Sequence, residues 1–460
     1  MSPAQHPRTP LSSVDAGWLH MDVPTNPMVI TVALMFEAPL DFKLVRELVA
    51  QRLLPYPRFA QRVGERRGST PHWEDDPRFS LEAHVHRIGL PGAGDDAALR
   101  ELLSDLASTP LDPTRPLWQV YLIEHYGQGC VLALRIHHCL ADGVTLVQVF
   151  NNLFDPSSAK EIVPARPSEE LGVIDNAFEA LGAVVRSTET LVQEGWSWVS
   201  RPTRIFGLLG QGAAVLGKIA LMGPDAPSVF KGPLSVTKRV AWSEPVPLAE
   251  VKAIGKVLGG TINDVLLTAV AGALRRYLEQ RGEPVSIRGL RAMVPVNLLP
   301  PGAKSDGGNH FGLVYLTLPL AVEDQVERIA RLRKEMDAIK ASPEAHIAYG
   351  IVGLLGTLPT RIERTVIEAL CNMASLVVTN VPGSRIANTL AGQPVRRAMF
   401  WVPEAAGISL GISILSYAEE VQVGVLADAT LVPDPERLAA AFDAEMADLI
   451  AIEREVGGLR

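Results

Sequence analysis

The hydrophobic positions of this chain follow two different periods, which predict strands in some segments and helices in others. Residues 28–36 read MVITVALMF between two prolines, a run that is typical of a buried strand. Residues 118–124 and 130–137 are also apolar runs, and the glycines at 127–129 predict the turn that joins them. Residues 42–52 instead carry leucine and valine at helical spacing. This mixture, without a repeating period, predicts an α/β or α+β fold.

The same mixture resumes in the second half of the chain, after a stretch that is poor in strand formers. A segment at 155–168, rich in Pro, Ser and Ala, is typical of a linker. The composition of residues 171–222 favours helix over strand. We therefore divide the chain into an N-terminal subdomain at 1–170, a helical linker at 171–232 and a C-terminal subdomain at 233–460. The patterns of the second half predict strands at 237–242, 291–296, 313–318, 376–379, 408–417 and 421–426, and helices at 248–258, 263–279 and 435–453.

Composition and charge narrow the possible functions. The chain is 47% apolar and 20% charged, enough to build a sizeable core and to exclude wholesale disorder. Its 51 acidic residues outnumber the 43 basic ones, and the net charge of -8 argues against a nucleic-acid partner. The three cysteines, Cys130, Cys139 and Cys371, show no CxxC spacing. We therefore expect no disulfide framework and no zinc site, and we expect the protein to work in a reducing cell interior. The pattern predicts no secretory leader and no membrane-spanning run.

The stretch with the most chemical content is RIHHCLADG at 135–143, where a predicted strand ends and a turn leads into a helix expected at about 144–154. Strand ends present side chains to a cleft while the backbone stays rigid. Successive strand side chains point to opposite faces, so one of His137 and His138 can enter a cleft while the other faces the packing. The same geometry argues against a metal ion shared by both, and no other cluster predicts a metal site.

A cleft histidine with a pKa near about 6.5 suits general-base chemistry at neutral pH. Asp142 can orient that imidazole, as a triad acid does, or lock the turn by pairing with an arginine or with backbone amides. We favour the second role because Asp142 stands where a helix begins, and Gly143 permits a tight backbone approach. From spacing alone, an ordinary strand–turn–helix junction explains these residues equally well.

Other candidates have a structural explanation beside a functional one. Asn263 begins an apolar helix after two glycines, so it can position a substrate group or cap the helix, with Asp264 in the first turn. Trp118 is expected to pack in the interior, and Cys139 to be a small buried hydrophobe. His84 is expected at the surface.

The order and spacing of several short motifs resemble a known acyltransferase superfamily. Residues 137–143, HHCLADG, resemble the HHxxxDG motif of the superfamily that includes condensation domains and chloramphenicol acetyltransferase-like enzymes. More narrowly, nearly the whole chain resembles the bacterial wax ester synthase/diacylglycerol acyltransferase family. The further motifs that carry this resemblance are LSSVDA at 11–16, PLW at 116–118, TINDVL at 261–266, VPVN at 294–297, NVPG at 380–383 and SY at 416–417.

Two positions depart from the pattern of that family. Leu299 stands where many relatives carry an arginine, which removes one partner for Asp142 and leaves Arg291 as the candidate substitute. Thr379 replaces the serine that usually precedes the NVPG motif.

The resemblance implies two chloramphenicol acetyltransferase-like subdomains, each a mixed sheet flanked by helices, with a tunnel between them. Acyl-CoA would enter from one side and a fatty alcohol or diacylglycerol from the other, giving wax ester, triacylglycerol or both, without a resident cofactor or metal. The residues that the resemblance assigns to catalysis are His138, as the general base, with His137 and Asp142, and those assigned to substrate binding or structural support are Gly143, Asn263 and Asp264.

Two alternatives stay open, namely an acyltransferase of the same fold that uses a carrier-bound acyl donor, and a non-catalytic lipid-binding protein. The apolar stretch at 205–222 is preceded by tryptophans and arginines within 196–204, which suits either a membrane interface or a helix packed on the enzyme's own body. The expected location is cytoplasmic, with peripheral contact to the inner membrane or to lipid bodies. The resemblance leaves the oligomeric state open.

Overall fold

The described part of the chain builds two mixed sheets with helices against their faces. The computed structural model describes residues 8–64, 71–140, 152–155, 222–285, 289–297, 311–340, 360–404 and 407–457. Within these ranges, one mixed sheet has five strands and another has seven. The predicted α/β architecture is confirmed.

The five-stranded sheet holds most of the N-terminal half. The strands of this half are β1 (Thr9–Pro10), β2 (Val29–Phe36), β3 (Gln61–Gly64), β4 (His72–Asp75), β5 (Val85–Gly89), β6 (Trp118–Tyr126) and β7 (Gly129–His137), and the helices are α1 (Ser13–Met21), α2 (Phe42–Leu53) and α3 (Asp96–Ser108). Strand β7 is central, antiparallel to both β2 and β6, and all of its residues are buried. Side chains of α1 and α2 cover one face of the sheet, and α3 covers the other.

The seven-stranded sheet holds the C-terminal half. Its order is β11-β10-β12-β16-β17-β8, with β9 also paired to β17. Helices α4, α5, α6 and α8 pack on one face around a large apolar core, and α7 lies on the other face. The elements are β8 (Lys238–Trp242), β9 (Val246–Pro247), α4 (Leu248–Leu258), α5 (Ile262–Gln280), β10 (Leu290–Asn297), β11 (Phe311–Leu318), α6 (Gln325–Lys340), α7 (Thr360–Cys371), β12 (Leu376–Pro382), β13 (Thr389–Leu390), β14 (Gln393–Pro394), β15 (Arg397–Trp401), β16 (Leu410–Tyr417), β17 (Glu420–Asp428) and α8 (Pro435–Gly457).

Strand β15 joins the two halves, because it leaves the C-terminal segment and pairs with β2 of the N-terminal sheet. In the opposite sense, helix α3 of the N-terminal half contacts the edge of the C-terminal sheet. The backbone amides of Lys238 and Val240, on edge strand β8, donate to the hydroxyls of Ser108 and Ser104 at 2.8 and 3.0 Å. Two serines one helical turn apart thus satisfy an edge that would otherwise lack partners. Each half therefore supplies part of the other's sheet or sheet edge.

The predicted elements that fall in the described residues are confirmed with small shifts at their ends. The strand predicted at 28–36 is β2, the two strands around the glycine turn are β6 and β7, and the helix predicted at 248–258 is α4. All but the first residue of the linker predicted at 155–168, the helical stretch up to 221 and most of the helix expected near 144–154 lie outside the described residues. The division at 170 and 233 stays a prediction, and the crossing of β15 shows that sheet membership does not follow chain order.

Among the described helices, none is alone long and apolar enough to cross a membrane. The pair α4 and α5, bent by 94° at its break, reaches the threshold only by combined length and composition. Most of α5 is buried in the C-terminal core.

A buried ion cluster lies where β8, β17 and the segment after β15 meet. The Lys238 ammonium is 2.8 Å from a Glu404 carboxylate oxygen and 3.3 Å from one of Asp428, and all three side chains are inaccessible. Asp428 also accepts hydrogen bonds from the amide and hydroxyl of Ser235. Burial raises the pKa of Glu404 to about 7, although the Lys238 ammonium acts in the opposite direction. The Lys238 ammonium thus faces two carboxylates, and one of them, Glu404, is partly protonated near neutral pH.

This cluster predicts a specific pH dependence of stability. The pKa of Glu404 is raised above its ordinary value of 4.5, so between these values the folded protein binds a proton that the unfolded chain lacks. The free energy of unfolding should therefore fall as the pH rises from about 4.5 to about 7, and this contribution should level off above that. Urea unfolding of Glu404→Gln across this range should lose that slope. The exposed Glu101→Gln on α3 serves as control, and equal slopes in Glu404→Gln and wild type would contradict the assignment.

Candidate active site

His137 is the last residue of β7 and is 1% exposed. Its Nδ1 accepts the backbone N–H of Cys139 at 3.1 Å, so its ring proton is placed on Nε2. Nε2 lies 3.6 Å from a carboxylate oxygen of Asp22, at the end of α1. The ring of His137 is thus held inside the protein between the following turn and a carboxylate. Within the described residues its ring is almost inaccessible to solvent.

His138 follows directly and has different surroundings. It is half-buried, its backbone N–H donates to the Met28 carbonyl at 2.8 Å, and its ring stacks on Trp18 with the centroids 4.0 Å apart. Burial lowers the pKa of His138 to about 4, and the neighbouring His137 adds to this shift. The imidazole is therefore neutral at neutral pH and carries the lone pair that a general base needs. The two rings thus have different surroundings, and the predicted cleft at one of them stays a prediction.

Helix α1 lies beside the histidine turn at 137–140, and the sequence analysis did not identify it as a helix. Ser12 caps it by accepting the Asp15 N–H at 3.1 Å. Asp15 is fully buried, 3.8 Å from the guanidinium of Arg58, and Arg58 also donates to the Leu140 carbonyl at 2.9 Å. The serine three residues before an aspartate is a known helix-start signal that would have revealed α1. Arg58 thus links this helix to the segment after the histidines.

Cys139 lies against the two histidines but is not placed as a nucleophile. Its side chain is completely buried, and burial raises the pKa of its thiol well above the ordinary value. The thiolate is the reactive form, so this environment suppresses its chemistry. Cys139 is a small buried hydrophobe, as predicted, and the other two cysteines, Cys130 and Cys371, are also free and buried.

The structure does not describe the remaining motif residues of the histidine turn. Asp142 and Gly143 lie outside the described residues, as does Leu299. Arg291 pairs with Asp225 at 3.2 Å, and its guanidinium also donates to the carbonyls of Gly223 and Pro224. The proposed role of Arg291 as partner of Asp142 therefore has no support. No group of three or more His, Cys, Asp or Glu side chains in the described ranges could hold a metal ion.

Asn263 and Asp264 stand in the first turn of α5, in the C-terminal half. Of the two roles left open for Asn263, the capping role is wrong, because Thr261 is the N-cap. Asp264 accepts from the amide and the hydroxyl of Thr261, both at 2.8 Å, and completes a capping box. Asn263 is left half-exposed, and its side-chain oxygen accepts from the amide of Asn380 at 3.1 Å. Two motifs far apart in sequence are thus joined at the carboxyl end of β12.

The sequence analysis is right about one aromatic residue and wrong about one histidine. Trp118 is 1% exposed, and its indole N–H donates to the Phe59 carbonyl at 2.8 Å, so the predicted packing role is confirmed. His84 is 2% exposed rather than at the surface. Its ring stacks on Trp118, and its Nδ1 lies 2.8 Å from the Trp118 carbonyl. Packing against a large neighbouring ring explains why this histidine is interior.

The chain matches two models of one protein family. Residues 11–266 match the model described as "Wax ester synthase/diacylglycerol acyltransferase catalytic domain", and residues 307–450 match the "WS/DGAT C-terminal domain". Together they extend over most of the chain and include both halves of the fold.

Similar proteins and structures agree with these matches. A Mycobacterium tuberculosis protein named "Probable diacyglycerol O-acyltransferase tgs1" is 31% identical over 458 residues, covering 96% of each chain. The structure of a wax ester synthase/diacylglycerol acyltransferase from Marinobacter aquaeolei VT8 superposes with a TM-score of 0.68 at 21% identity, over 97% of this chain and 100% of that one.

A wider likeness extends to another class of enzyme with this fold. The first condensation domain of the calcium-dependent antibiotic synthetase gives a TM-score of 0.58 at 16% identity, over 98% of this chain and 97% of that one. That likeness supports the two-subdomain fold implied by the HHxxxDG resemblance. The chain therefore belongs to the wax ester synthase/diacylglycerol acyltransferase family, and it is an O-acyltransferase of that family.

Proposed function

We propose that this protein transfers a long-chain acyl group from acyl-CoA to a fatty alcohol, a diacylglycerol or both, with His138 as general base. The observation that carries the base assignment is the neutral, half-buried imidazole of His138 at the end of a rigid central strand. The substrate classes come from the names of the family and of its relatives. The products would be wax ester, triacylglycerol or both.

The proposed step needs no covalent enzyme intermediate. The hydroxyl of the acceptor attacks the thioester carbonyl while the His138 imidazole accepts the hydroxyl proton. The tetrahedral intermediate then collapses, the carbon–sulfur bond breaks, and the leaving thiolate takes the proton back from the imidazolium. Atoms and charge balance, and no resident cofactor or metal is required. Base catalysis of this kind contributes about 10²- to 10⁴-fold, and the alignment of two bound substrates supplies the remainder.

Supporting roles are assigned to the other motif residues. We assign His137 to holding the turn, since its ring is buried against Asp22. We assign Asp142 to locking that turn and Gly143 to close backbone approach. Asn263, with its exposed partner Asn380, is assigned to contact with a substrate polar group, and Asp264 to the helix cap on which Asn263 stands. A tunnel between the two halves would bring both substrates to His138.

The products suggest where the protein works. Wax ester and triacylglycerol are insoluble in water, so we propose that it acts in the cytoplasm, with peripheral contact to a membrane or lipid-body surface. The segment at 196–222 proposed for this contact lies outside the described residues, apart from Met222.

Replacement of the proposed base gives the direct test. His138→Ala should lower kcat by about 10²- to 10⁴-fold, because the hydroxyl proton then has no acceptor. Thiol release from a long-chain acyl-CoA, with a fatty alcohol or a diacylglycerol, measures it. His86→Ala is the matched control, since His86 is a half-buried histidine beside Tyr121 and away from the turn. Full activity in His138→Ala would refute the base assignment.

The same assay separates the alternative functions. If wild type turns over only a carrier-bound acyl donor, the donor assignment is wrong. If it binds lipid stoichiometrically and turns over no donor, the protein is not acting as a catalyst.

The absence of a covalent step predicts the behaviour of the neighbouring thiol. Cys139→Ala should keep kcat within about threefold of wild type, because a buried neutral thiol contributes packing and not chemistry. Thiol release again measures it, with melting temperature as the check on folding. A folded Cys139→Ala protein that lost turnover would indicate an acyl-thioester intermediate on this residue.

The two neighbouring residues of α5 should separate stability from activity. Asp264→Ala should lower the free energy of unfolding by about 1–2 kcal/mol, because the capping box is lost. Asn263→Ala removes a half-exposed hydrogen bond and should change stability by less than about 0.5 kcal/mol, while turnover falls. Urea unfolding and thiol release on both variants measure this. Unchanged kcat/KM in Asn263→Ala would leave Asn263 with no role at the substrate.

A further inference from the structure

Helix α1 presents two side chains, four residues apart, to the two histidines. Trp18 stacks on the ring of His138 with an interplanar angle of 19° and a centroid distance of 4.0 Å. Asp22, the C-cap of the same helix, directs a carboxylate oxygen at Nε2 of His137, 3.6 Å away. Residues four apart on a helix lie on the same face, so one face of α1 serves both rings.

The carboxylate of Asp22 takes part in a continuous set of contacts around the turn. Its other oxygen accepts the N–H of Met28 at 2.8 Å, and the carbonyl of Met28 accepts the N–H of His138 at 2.8 Å. One carboxylate therefore lies beside the ring of His137 and supports the backbone of His138 through Met28. The loop from Asp22 to Met28 is short, which makes this linkage stiff.

The stacked indole acts on the ring of His138 itself. An aromatic face at this separation restricts the rotation of the imidazole and covers one of its faces. Covering a face also removes water that would stabilise the charged form of the ring, which agrees with the burial that lowers the pKa of His138.

We propose that Trp18 and Asp22 are positioning residues of the acyl transfer. Trp18 sets the plane of the His138 imidazole. Asp22 supports the backbone of His138 through Met28 and lies beside the ring of His137. This inference rests on the proposed function, in which His138 is the base. A displacement of about 1 Å at a reacting group can cost about 10²-fold in rate, so a device that holds the ring has a measurable effect.

The charged and titratable groups around the His138 ring decide how a change in the pH dependence of kcat/KM is interpreted. His137 precedes the ring on its own strand, Asp22 and Asp15 belong to the α1 segment, and Arg58 lies beside Asp15. The variants below leave His137, Asp15 and Arg58 in place. A change caused by Trp18 alone therefore reports on the stack and not on a lost charge.

The first test replaces the indole. Trp18→Leu should lower kcat by about 10- to 100-fold with KM changed by less than about threefold, and Trp18→Phe should restore most of kcat. Because water then reaches the ring, the pKa of His138 should rise from about 4 toward 6.5, and the acid limb of kcat/KM should move to higher pH. NMR titration of the protein labelled with ¹⁵N-histidine follows the ring independently of activity.

Phe79→Leu is the matched control, because it removes a ring stacked on another histidine, His84, outside the site. It should leave kcat and the His138 titration unchanged. Wild-type kcat, or an unmoved His138 titration, in a folded Trp18→Leu protein would overturn the role of Trp18.

The second test separates the two functions of the carboxylate. Asp22→Asn keeps an oxygen that accepts the Met28 N–H but removes the charge facing His137, whereas Asp22→Ala removes both. We expect kcat to fall in the order wild type, Asp22→Asn, Asp22→Ala, with KM nearly constant. Asp41→Asn is the control, since Asp41 caps α2 through an equivalent bond to the Leu44 N–H at 2.8 Å. Equal kcat in Asp22→Ala and wild type would overturn the role of Asp22.

The outcomes distinguish this inference from the function on which it rests. Loss of activity in His138→Ala with wild-type kcat in Trp18→Leu and Asp22→Ala would overturn the positioning roles and leave the base intact. Activity retained in His138→Ala would overturn the base, and the positioning roles in catalysis with it. A shifted His138 titration in Trp18→Leu with unchanged kcat would also overturn the role of Trp18.

Discussion

The site depends on the way β7 is held up to its last residue. The N–H of His137 donates to the Leu117 carbonyl before β6, and the N–H of His138 donates to the Met28 carbonyl before β2. The N–H of Leu140 then donates to the His137 carbonyl and closes the turn. A central strand with partners on both sides cannot shift its register without losing both ladders. The two histidines therefore leave the sheet from a fixed backbone, which is the condition for placing a reacting group accurately.

The environment of His138 favours geometry over basicity. With a pKa of about 4, the proposed base His138 is nearly always unprotonated at neutral pH, yet it accepts a proton less readily than a base near 7. The enzyme would then gain most from the alignment of hydroxyl, thioester and imidazole. The amount of protein structure around this turn agrees with that balance, since a strand, a capped helix and the half-buried Arg58 all contact it.

The sequence predicts the local elements well and the non-local contacts poorly. Strands β2, β6 and β7 and helix α4 follow from apolar patterns, because each pattern records burial of a single segment. Helix α1 shows no clean apolar stripe, so its pattern is uninformative, and it contacts α7 of the C-terminal half. The pairing of β15 with β2 leaves no local signal at all.

The same contrast holds at the site. The resemblance to a family located His137 and His138, but the contacts of Trp18 and Asp22 with them are visible only in the fold. A helix cap is one of two roles that the sequence leaves open for Asn263, yet the nearby Thr261 supplies the capping hydroxyl and Asp264 the reciprocal bond. Short polar residues compete for such positions, and a single sequence does not decide among them.

The crossing of β15 has a consequence for how the chain reaches this structure. Met35 pairs with Arg397, so the N-terminal sheet is incomplete until most of the polypeptide has been synthesised. Until then β2, whose residues are all buried in the finished protein, is an uncovered apolar edge of the kind that recruits other chains. Contacts so distant in sequence also form slowly. The order of synthesis therefore leaves β2 without one of its two strand partners until residues 397–401 have been made.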